Sequence, residues 1–575
     1  MILTALIWSY ITIIVFITGF GTAKLLHRLV GLQWRSVSIG WMLGLCFVTV
    51  YAEYFSLFCK VGAAANAVLL LLAIASALFL KKELWAAIKD FYQVYWKGQR
   101  HKAVLIILDA IIVLLFLGIA CLRATHADTD LYHAQAIRWI EEYGVVKGLG
   151  NLHNRLAYNS AFMCLQALFS GAFLLQQSTH VVNAYIACGV FLYSFNTLFF
   201  FRKSDRFQSS DLFKSVTLIY ICGPYSLSAL SSPNTDTFAL LMVLFILIKW
   251  SELTAGKVKE AAAYGVLCLL GVFACSLKLS AAMILLLVLK PAICLIKERK
   301  WKSIMVFLAC GLVILGPFLS RNVIISGYLL YPYSALDLFS VDWKMAKSVV
   351  DFDNREIMAY GKGLGSYFLS NYSLTEWLPV WWKTQAAWVQ IMVGLNVLMI
   401  AGYCLTLVYR IFRFSFHKID WDEVLLFLTT AVAFLFWFFT APLARYGMVF
   451  TFGVPCVILG KWAGKAHGRI YLYFAMSLAA VCFFLPANRI WSKMEYISLK
   501  RPSYYIFREC REIEWEGITM YVAEEHNYSG YYYLPAAAYE KTLQYIELRG
   551  SGVQDGFRVK EDVKGIRFNN SGMIY

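Results

Sequence analysis

Apolar runs of close to 20 residues, separated by short charged stretches, recur along the whole chain. A helix needs about 20 apolar residues to cross the hydrocarbon core of a bilayer, because each residue adds only about 1.5 Å to its length. The pattern therefore predicts an all-α polytopic membrane protein with about 14 transmembrane helices. The predicted spans are residues 2–21, 36–58, 61–80, 103–121, 180–201, 214–231, 235–250, 260–277, 279–296, 303–320, 388–409, 423–440, 446–462 and 470–486.

Lys and Arg residues are concentrated in alternate loops between these spans, such as residues 24–35 and 81–102. Loops of this kind face the cytoplasm under the positive-inside rule, which places both chain termini outside. The alternation holds only if residues 157–201, which contain two apolar runs, cross once. We therefore expect residues 158–175 to lie in the outer leaflet without crossing and residues 180–201 to span.

The composition decides how the charge is interpreted. A net charge of +17 would suggest nucleic acid in a soluble protein, but 60% of the residues are hydrophobic and many of the cations lie in short loops beside lipid headgroups. We expect membrane lipids as partners and no nucleic acid.

Nearly all of the 14 cysteines lie in or beside apolar segments and no CxxC pair occurs, so neither a disulfide framework nor a zinc site is predicted. The first apolar run lacks a basic region and a cleavage site, which predicts a retained span.

Three regions differ in organisation. The predicted regions are residues 1–100, with three accessory transmembrane helices and a cytoplasmic linker; residues 101–487, a transmembrane core with external loops 122–179 and 321–387; and residues 488–575, an extracytoplasmic domain. Hydropathy falls in the last region, and its alternating pattern at residues 518–522 indicates short strands. A short charged helix is expected within residues 342–360. The tail is predicted to be a small external α/β domain.

The stretch after the fourth predicted span begins with His-Ala-Asp-Thr-Asp-Leu-Tyr-His at residues 126–133. It places two carboxylates and two imidazoles at the mouth of a membrane helix, which is a costly position for titratable groups. With Asp128 or Thr129 as N-cap, the pattern predicts a short amphipathic helix at the membrane interface. Its next turns would carry Tyr132, His133, Gln135 and Arg138.

Asp128 and Asp130 are candidate catalytic residues, with His133 as a candidate base or ligand. Carboxylates two positions apart could hold Mg²⁺ or Mn²⁺, or one of them could act as a general base. The competing interpretation is that they only begin a helix, where the helix dipole favours negative charge. No HxxxH or HExxH spacing supports a zinc site at the histidines.

Residues 148–155, Gly-Leu-Gly-Asn-Leu-His-Asn-Arg, are too compact and polar to span the membrane. The glycines allow close backbone approach, and Arg155 and Asn159 bring donors to the surface, with His153 beside them. A phosphate is therefore a suitable guest. No strand precedes the segment and no GK[ST] follows it, so it does not fit a nucleotide-binding loop. A plain turn is the alternative.

Further polar groups lie at the predicted external ends of spans. They are Asn234, Asp236, Lys278, Arg321, Asn322 and Arg445. The positive-inside rule disfavours cations on the outer side, so Lys278, Arg321 and Arg445 need another explanation. Either they extend to lipid headgroups or they bind the phosphate of a lipid substrate. We favour the second, because they share a face with Asp128.

The predicted core has an aspartate-bearing first external loop, an amphipathic helix, a second non-crossing helix and a large external loop between its seventh and eighth spans. This arrangement resembles the GT-C superfamily of polyprenyl-phosphate-sugar-dependent glycosyltransferases. The local sequences at residues 128–133, 148–153, 232–236 and 321–327 resemble more narrowly a poorly characterised bacterial membrane family placed beside the GT-C enzymes. The resemblance covers residues 100–450 and also touches the tail.

The resemblance implies that Asp128 deprotonates the acceptor hydroxyl or organises a metal, while Arg or Lys residues neutralise the departing donor phosphate. The substrate-binding residues would be Tyr132, Gln135, Arg138, His153, Arg155, Asn159, Asn234, Asp236, Lys278, Arg321, Asn322 and Arg445. The chain lacks the adjacent acid pair of some GT-C enzymes, which argues against a two-carboxylate mechanism. The three spans before residue 100 are an addition to the common core.

Two functions remain open at this point. The first is a glycosyltransferase of the bacterial cytoplasmic membrane that moves a sugar from a polyprenyl-phosphate-linked donor to a glycan or lipid-linked acceptor outside, in cell-surface polysaccharide assembly. The second is a transporter or flippase of lipid-linked saccharides, or a polymerase that works on the same carrier. A transporter would place charges at the membrane midplane and show paired broken helices. The charges collect at one face instead, so the enzyme is preferred.

Overall fold

The apolar runs fold into long helices, because an α-helix satisfies its own backbone N–H and C=O groups and can therefore lie in lipid. The computed structural model describes residues 1–33, 36–97, 101–201, 207–365, 367–413, 419–463, 468–525 and 527–561. This part of the chain is mostly helical, with a small region of β-sheet after the last helix. The prediction of a mostly helical protein with membrane-type helices and a small C-terminal sheet region is therefore confirmed.

The α-helices, in chain order, are α1 (Ile2–Val30), α2 (Val37–Ser56), α3 (Ala63–Phe79), α4 (Lys81–Tyr92), α5 (Lys102–Ala120), α6 (Ala134–Tyr143), α7 (Leu149–Leu152), α8 (Ala161–Phe169), α9 (Ala172–Leu175), α10 (Val182–Phe199), α11 (Ser209–Cys222), α12 (Pro224–Ala229), α13 (Asp236–Ala255), α14 (Ala261–Leu277), α15 (Leu289–Lys297), α16 (Trp301–Ser326), α17 (Lys347–Gly361), α18 (Leu374–Thr384), α19 (Ala387–Phe412), α20 (Trp421–Thr440), α21 (Ala444–Ala463) and α22 (Gly468–Trp491). Short π-helical turns (Gln93–Lys97, Thr129–His133) and 3₁₀ segments (Asn154–Ala157, Leu279–Val288, Tyr367–Asn371, Met494–Tyr496, Glu540–Gln544, Val553–Asp555) lie between and after them. The strands are β1 (Cys510–Trp515), β2 (Ile518–Ala523), β3 (Ala536–Ala537), β4 (Ile546–Leu548) and β5 (Phe557–Val559).

Among the residues that the structure describes, nine helices are long and apolar enough to cross a membrane. They are α1, α2, α5, α10, α13, α16, α19, α20 and the segment Leu279–Lys297, which joins a 3₁₀ stretch to α15. Each of them falls on one of the predicted spans. A further candidate is the pair of α3 and α4, which qualify together but are bent by 83°.

The other predicted spans fall on shorter or interrupted helices. The run 214–231 is divided at Gly223, whose backbone is extended and which precedes Pro224, the first residue of α12. Proline fits the first turn of a helix, so a new helix begins here and α11 does not continue. The shorter apolar helices include Ala261–Leu277, Ala444–Gly460 and Met476–Trp491. The described helices support nine or ten crossings, and the count of 14 stays a prediction.

The segment predicted not to cross is divided into two short helices. Helix α8 has nine residues, and after it Gly171 adopts a positive φ of 72° that turns the chain into the four-residue α9. Nine helical residues are about 14 Å long, less than half of the hydrocarbon core. All residues of α8 are buried in protein. The length of α8 supports the prediction that residues 158–175 do not span.

Helices α1 and α2 approach each other through glycines. A Cβ atom at Gly19 would collide with the carbonyl group of Gly40, and one at Gly44 would collide with that of Val15. Small residues of this kind let membrane helices pack closely, which strengthens their van der Waals contact. Because α2 also contacts α8 and α16, the accessory helices are fixed against the rest of the protein.

Helix α13 lies in the centre of the protein and is buried on every side over residues 236–251. A helix that is apolar all round needs apolar neighbours on all faces. Helices α10, α11, α14 and α21 provide them. The first residue of α13, Asp236, is thereby held at a fixed position at one end of the bundle.

The domain that follows α22 contains two small sheets; we call its described residues 503–561 the C-terminal domain. Strand β2 pairs antiparallel with β1 along its whole length and parallel with β3, while β4 and β5 form a separate antiparallel pair. The strand predicted at residues 518–522 is β2. Helix α22 continues to Trp491, four residues beyond the predicted end of the core.

The C-terminal domain packs against one end of the helix bundle. The amide of Ser503 donates to the carbonyl of Cys121, just after α5, and the amide of Phe557 in β5 donates to the carbonyl of Lys147, at 3.0 and 2.9 Å. We call this end the loop face; it carries residues 122–179, residues 327–386 and the C-terminal domain. The helix predicted within residues 342–360 is α17, which lies on this face.

Candidate functional site

Asp128 lies where the chain leaves α5 and turns towards α6. The intervening Thr129–His133 form a π-helical turn, a wider turn that is frequent at functional sites. Asp128 occupies the position before this turn, but within the described residues its side chain accepts no capping hydrogen bond. Asp128 thus stands at the N-cap position, one of the two that were predicted, but its carboxylate pairs with a cation from another helix instead of capping the turn.

That cation is Arg445, at the start of α21. The Nη2 atom of Arg445 lies 3.1 Å from Oδ2 of Asp128, and the two side chains are only 20% and 14% exposed. Arg445 also lies over the ring of Tyr446, 4.9 Å from its centroid, and donates to the Tyr446 hydroxyl at 3.1 Å. Water and salt screen such a pair weakly. The structure therefore presents Asp128 as an oriented carboxylate with one charged partner.

A second ion pair lies beside the first. Lys278, which follows α14, binds the carboxylate of Asp236 at the start of α13. The ammonium group of Lys278 lies 4.5 Å from the ring centroid of Tyr446, so this ring is within cation–π distance of both cations. We call Asp128, Asp236, Lys278, Arg445 and Tyr446 the charge cluster. The sequence predicted four of these five residues as site residues, and the structure brings them together.

Aromatic and imidazole rings line the charge cluster next to Asp128. The ring centroid of His133 lies 4.3 Å from that of Tyr132 and 6.1 Å from that of His126. The Nδ1 atom of His126 accepts from the amide of Asp128 at 3.3 Å, and its Nε2 atom lies 3.0 Å from the hydroxyl of Tyr225. Because Nδ1 accepts, the neutral ring carries its proton on Nε2 and donates it to Tyr225.

Burial sets the protonation of these groups, together with the neighbouring charges. Burial alone would raise the pKa of Asp128, but the positive charge of Arg445 and the adjacent basic groups outweighs it and holds this pKa below its ordinary value. Burial lowers the pKa of His126 and lowers that of His133 to about 3. At neutral pH, Asp128 is therefore ionised and both imidazoles are neutral. Within the described residues, neither ring nitrogen of His133 has a hydrogen-bond partner.

Asp130 binds the C-terminal domain instead of the charge cluster. Its Oδ2 atom accepts two hydrogen bonds from Arg508, at 2.6 and 2.9 Å. Its backbone carbonyl accepts from the amide of Gly530 at 3.0 Å. Burial raises the pKa of Asp130, although Arg508 opposes the shift. We therefore assign Asp130 to domain docking.

Gln135 and Arg138, two further predicted site residues, make the same kind of contact. Gln135 donates to the carbonyl of Tyr533 at 2.6 Å. Arg138 donates to the carbonyl of Tyr531 at 2.8 Å and to that of Tyr532, and its guanidinium carbon lies 5.3 Å from the ring centroid of Tyr531. The polar side of the predicted amphipathic helix is thus the docking surface for the C-terminal domain.

Arg321 and Asn159 are engaged with each other inside the protein. Arg321 is 3% exposed and donates from Nη1 to the hydroxyl of Ser56 at 2.6 Å and from Nε to Oδ1 of Asn159 at 3.2 Å. It also interacts electrostatically with the buried Glu53. A lipid phosphate would have to displace these contacts to reach Arg321. We therefore place Arg321 in the bundle structure and not among the phosphate-binding residues.

Asn322 and Asn234 stabilise local backbone structure. Asn322 donates to the carbonyl of Leu329 at 3.0 Å and closes the turn after α16. Asn234 accepts from the amide and hydroxyl of Thr237 at 3.0 and 2.9 Å, so it caps the start of α13. Both are almost fully buried. Their contacts hold Asp236 and the neighbouring loop in place.

His153 and Arg155 lie beside the charge cluster, in a cleft with an empty volume of about 780 Å³. Burial lowers the pKa of His153 to about 3, with a further effect of Arg155 in the same direction. Arg155 interacts electrostatically with Asp128 and Tyr132, so it connects the cleft to the cluster. The predicted phosphate loop therefore forms one wall of a separate pocket.

The two aspartates do not fit a shared Mg²⁺ or Mn²⁺ site. Asp128 pairs with Arg445 and Asp130 pairs with Arg508, so a divalent cation would have to displace two arginines. Among the residues that the structure describes, no group of three or more His, Cys, Asp or Glu side chains could hold a metal ion. The reaction proposed below therefore contains no metal-dependent step.

Some residues of the site were not predicted from the sequence. Tyr446 directly follows Arg445, and an aromatic residue next to a cation at a helix start is a signal that could have found it. Tyr225 lies inside a predicted span and gives no such signal. Arg508 lies 378 residues from its partner Asp130 in the chain, so no local pattern relates them.

The nine long apolar helices among the described residues place the protein in the class of polytopic helical membrane proteins. A family model matches residues 1–452, and the chain therefore belongs to the family described as "Domain of unknown function (DUF8201)". The matched range contains the whole charge cluster and ends before the C-terminal domain. No curated protein and no solved structure matches the chain.

Proposed function

We propose that this protein is an integral membrane glycosyltransferase that transfers a sugar from a polyprenyl-phosphate-linked donor to an acceptor hydroxyl. The observation that supports this best is the charge cluster, in which an ionised, mostly buried carboxylate lies within reach of two cations where apolar helices end. Such a site can supply a base for the acceptor and positive charge for a departing phosphate. The resemblance of the sequence to GT-C enzymes points to the same class.

In the proposed reaction, the acceptor hydroxyl attacks the anomeric carbon of the donor sugar while the bond from this carbon to the phosphate oxygen breaks. The electron pair of that bond stays with the polyprenyl phosphate, and the hydroxyl proton goes to Asp128. Arg445 keeps the carboxylate oriented for this transfer. Because the pKa of Asp128 is low, the proton moves late, when the attack has already made the hydroxyl acidic.

The cations give the site its affinity for phosphate. The side chains of Lys278 and Arg445 are 23% and 20% exposed, so an anion can approach them. Together with Arg155 they place three cations against the carboxylates of the cluster, and the imidazoles add no charge at neutral pH. Lys278 and Arg445 would attract the donor phosphate and stabilise it as it leaves.

We also propose an orientation of the protein in the membrane. We place the loop face on the outer side of a bacterial cytoplasmic membrane, with 14 spans, as the distribution of Lys and Arg indicates. The resemblance to GT-C enzymes implies a GT-C-like core at residues 101–487. Large apolar residues are exposed along α16 and α19, where a polyprenyl chain dissolved in lipid could lie. The product would be a cell-surface polysaccharide or another glycan.

A transporter, a flippase or a polymerase of lipid-linked saccharides is the alternative. In the central helix α13 the charged residues lie near the two ends, with Asp236 first and Lys249 and Glu252 in the last turns. Residues 237–248 between them are uncharged. A transporter needs polar groups near the midplane, whereas an enzyme at one face does not. This distribution favours the enzyme.

The test uses the full-length protein in proteoliposomes with radiolabelled polyprenyl-phosphate sugars, a panel of hexoses and N-acetylhexosamines, and a membrane-glycan extract as acceptor. Asp128→Asn keeps the shape of the side chain but removes its charge, so transfer is expected to fall about 10²-fold or more. Binding of undecaprenyl phosphate, followed by native mass spectrometry, is expected to persist because Lys278 and Arg445 remain.

Glu142→Gln is the matched control, because Glu142 is an exposed carboxylate on α6 and should not affect transfer. Transfer at the wild-type rate by Asp128→Asn would remove the catalytic assignment. Passage of an intact lipid-linked sugar across the bilayer without transfer would support the transporter instead.

A further inference from the structure

The cleft beside the charge cluster is walled by three distant parts of the chain. Residues 150–155 form one wall, α17 forms another, and residues 539–559 of the C-terminal domain form the third. The cleft is open to solvent on one side, and together with that open space its empty volume is about 780 Å³. We propose that this cleft binds a saccharide as the acceptor, an inference that rests on the proposed function.

Arg155 supplies the strongest reason to expect a ligand. It lines the cleft and is partly buried, yet within the described residues its guanidinium group donates no hydrogen bond and forms no close ion pair. Because Arg155 is only partly buried, water can satisfy these donors, and a ligand with suitable acceptor oxygens can replace that water. The hydroxyl or carboxylate oxygens of a sugar would accept these bonds.

A buried polar network supports this wall of the cleft. Asp353, which is 1% exposed, accepts hydrogen bonds from Nδ2 of Asn154 at 2.9 Å and from the hydroxyl of Tyr331 at 2.6 Å. One turn along α17, Glu356 reaches the cleft, and burial raises its pKa. A carboxyl group with a raised pKa can donate as well as accept over a wider pH range. Sugar hydroxyls need both kinds of partner.

Another part of the cleft is apolar and aromatic. Val349, Phe352 and Ile546 line it together with Tyr539, whose ring meets that of His153 edge to face at 6.3 Å. A sugar ring has apolar C–H faces and polar hydroxyl edges. A cleft that joins apolar side chains to a guanidinium and a carboxyl group matches both.

Arg155 lines the cleft and also lies within electrostatic range of the proposed reacting carboxylate. This side chain interacts electrostatically with Asp128 and Tyr132 as well as with Glu356. A saccharide that is bound to Arg155 would therefore direct one end towards Asp128, where the proposed proton transfer occurs. The cleft and the charge cluster would then hold the acceptor and the donor phosphate, respectively.

Saturation-transfer difference NMR on the full-length protein in detergent micelles tests the inference, with disaccharides of glucose, galactose, N-acetylglucosamine and glucuronic acid as probes. Thr542 lines the cleft, so Thr542→Trp should fill it and weaken sugar binding about tenfold or more. Gln544→Trp adds the same side chain at an exposed position of the same 3₁₀ segment and should bind sugar normally. Glu356→Gln changes almost no volume and should weaken binding several-fold.

Wild-type sugar binding by both Thr542→Trp and Glu356→Gln would overturn the acceptor cleft, and so would the absence of a signal from every sugar in the wild type. Undecaprenyl phosphate binding, measured on the same samples, should be unchanged by Thr542→Trp. Loss of sugar binding with retained phosphate binding supports the inference. A wild-type protein that binds sugar but no undecaprenyl phosphate would contradict the proposed function and leave the cleft in place.

Discussion

Lys278 has an acidic and an aromatic neighbour, and both affect what it can bind. The carboxylate of Asp236 pairs with the ammonium group in a partly buried site, and the ammonium group lies 4.5 Å from the ring centroid of Tyr446. An incoming phosphate could share the ammonium group with Asp236, because a lysine has three donors. We therefore expect Lys278 to take part in binding the donor phosphate.

Removal of this cation should weaken phosphate binding. Lys278→Ala takes away a charge-assisted hydrogen bond worth about 1.5–3 kcal/mol, so undecaprenyl phosphate should bind about 10- to 150-fold more weakly in native mass spectrometry. Lys290→Ala is a close control, since Lys290 also pairs with an aspartate, Asp422 at 2.7 Å, and lies over an aromatic ring. Equal loss in both variants would indicate a general effect of charge and not a phosphate site.

The sequence could predict the charge cluster better than its surroundings. Charged groups at the ends of apolar helices lie within a thin layer at the membrane surface. Asp128, Lys278 and Arg445 were predicted on one face, so few arrangements were open to them. The partner of Asp130 could not be predicted in this way, because it belongs to a domain that no local sequence pattern connects to Asp130. The π-helical turn that begins between the two aspartates also lacks a recognised sequence signature.

At the scale of elements, length and continuity decide which helices can span. Nine predicted spans fall on described helices that are long and apolar enough to cross, because about 20 apolar residues in a row leave few other structures open in lipid. The helix is interrupted at Gly223 and Pro224, within an apolar run for which hydropathy alone predicts one continuous span. The orientation of the loop face likewise depends on the basic loops, and it can be measured.

Cysteine labelling with an impermeant maleimide in intact cells tests this orientation. In a background with the exposed Cys59 and Cys404 changed to serine, cysteines at Glu142 and at Gln176 should both react from outside, since both positions are exposed on the loop face. A cysteine at Lys259, between α13 and α14, should react only after the membrane is opened. If Gln176 behaved like Lys259, residues 158–175 would cross and the predicted topology would fail.

At the scale of the whole molecule, the C-terminal domain is joined to the bundle by buried polar contacts. Besides the Asp130 and Arg508 pair, the hydroxyl of Tyr531 donates to Glu141 at 2.7 Å, and Tyr531 stacks on Tyr505 at 5.0 Å. Glu141 is 7% exposed. The sequence predicted a separate external domain, but it did not predict that α6 would hold it, because such contacts depend on tertiary packing.

Docking of this domain should depend on pH. Burial raises the pKa of Glu141 from 4.5 to about 7, although the hydrogen bond from Tyr531 opposes the shift. The docked state therefore keeps the proton at pH values where the undocked chain loses it. The contribution of Glu141 to the free energy of docking is complete below pH 4.5 and is lost as the pH rises through about 7.

Hydrogen–deuterium exchange of the Gly530 amide, which donates to Asp130 at the same interface, is the measurement. Corrected for intrinsic rates, its protection should fall between pH 5 and pH 8 in the wild type and change less in Glu141→Gln. Glu512→Gln, which removes the charge of an exposed carboxylate on β1 of the same domain, should behave like the wild type. The same pH profile in all three proteins would assign the effect to another group, such as Asp130.

The walls of the acceptor cleft lie about 400 residues apart in the sequence, from Asn151 to Phe557, whose carbonyl accepts a hydrogen bond from Asn151. During synthesis the charge cluster is complete once α21 has emerged, whereas the cleft still lacks a side. A nascent chain that is already in the membrane could thus hold the lipid donor but not the acceptor. Order of synthesis would keep the enzyme inactive until the C-terminal domain has folded, without any inhibitor.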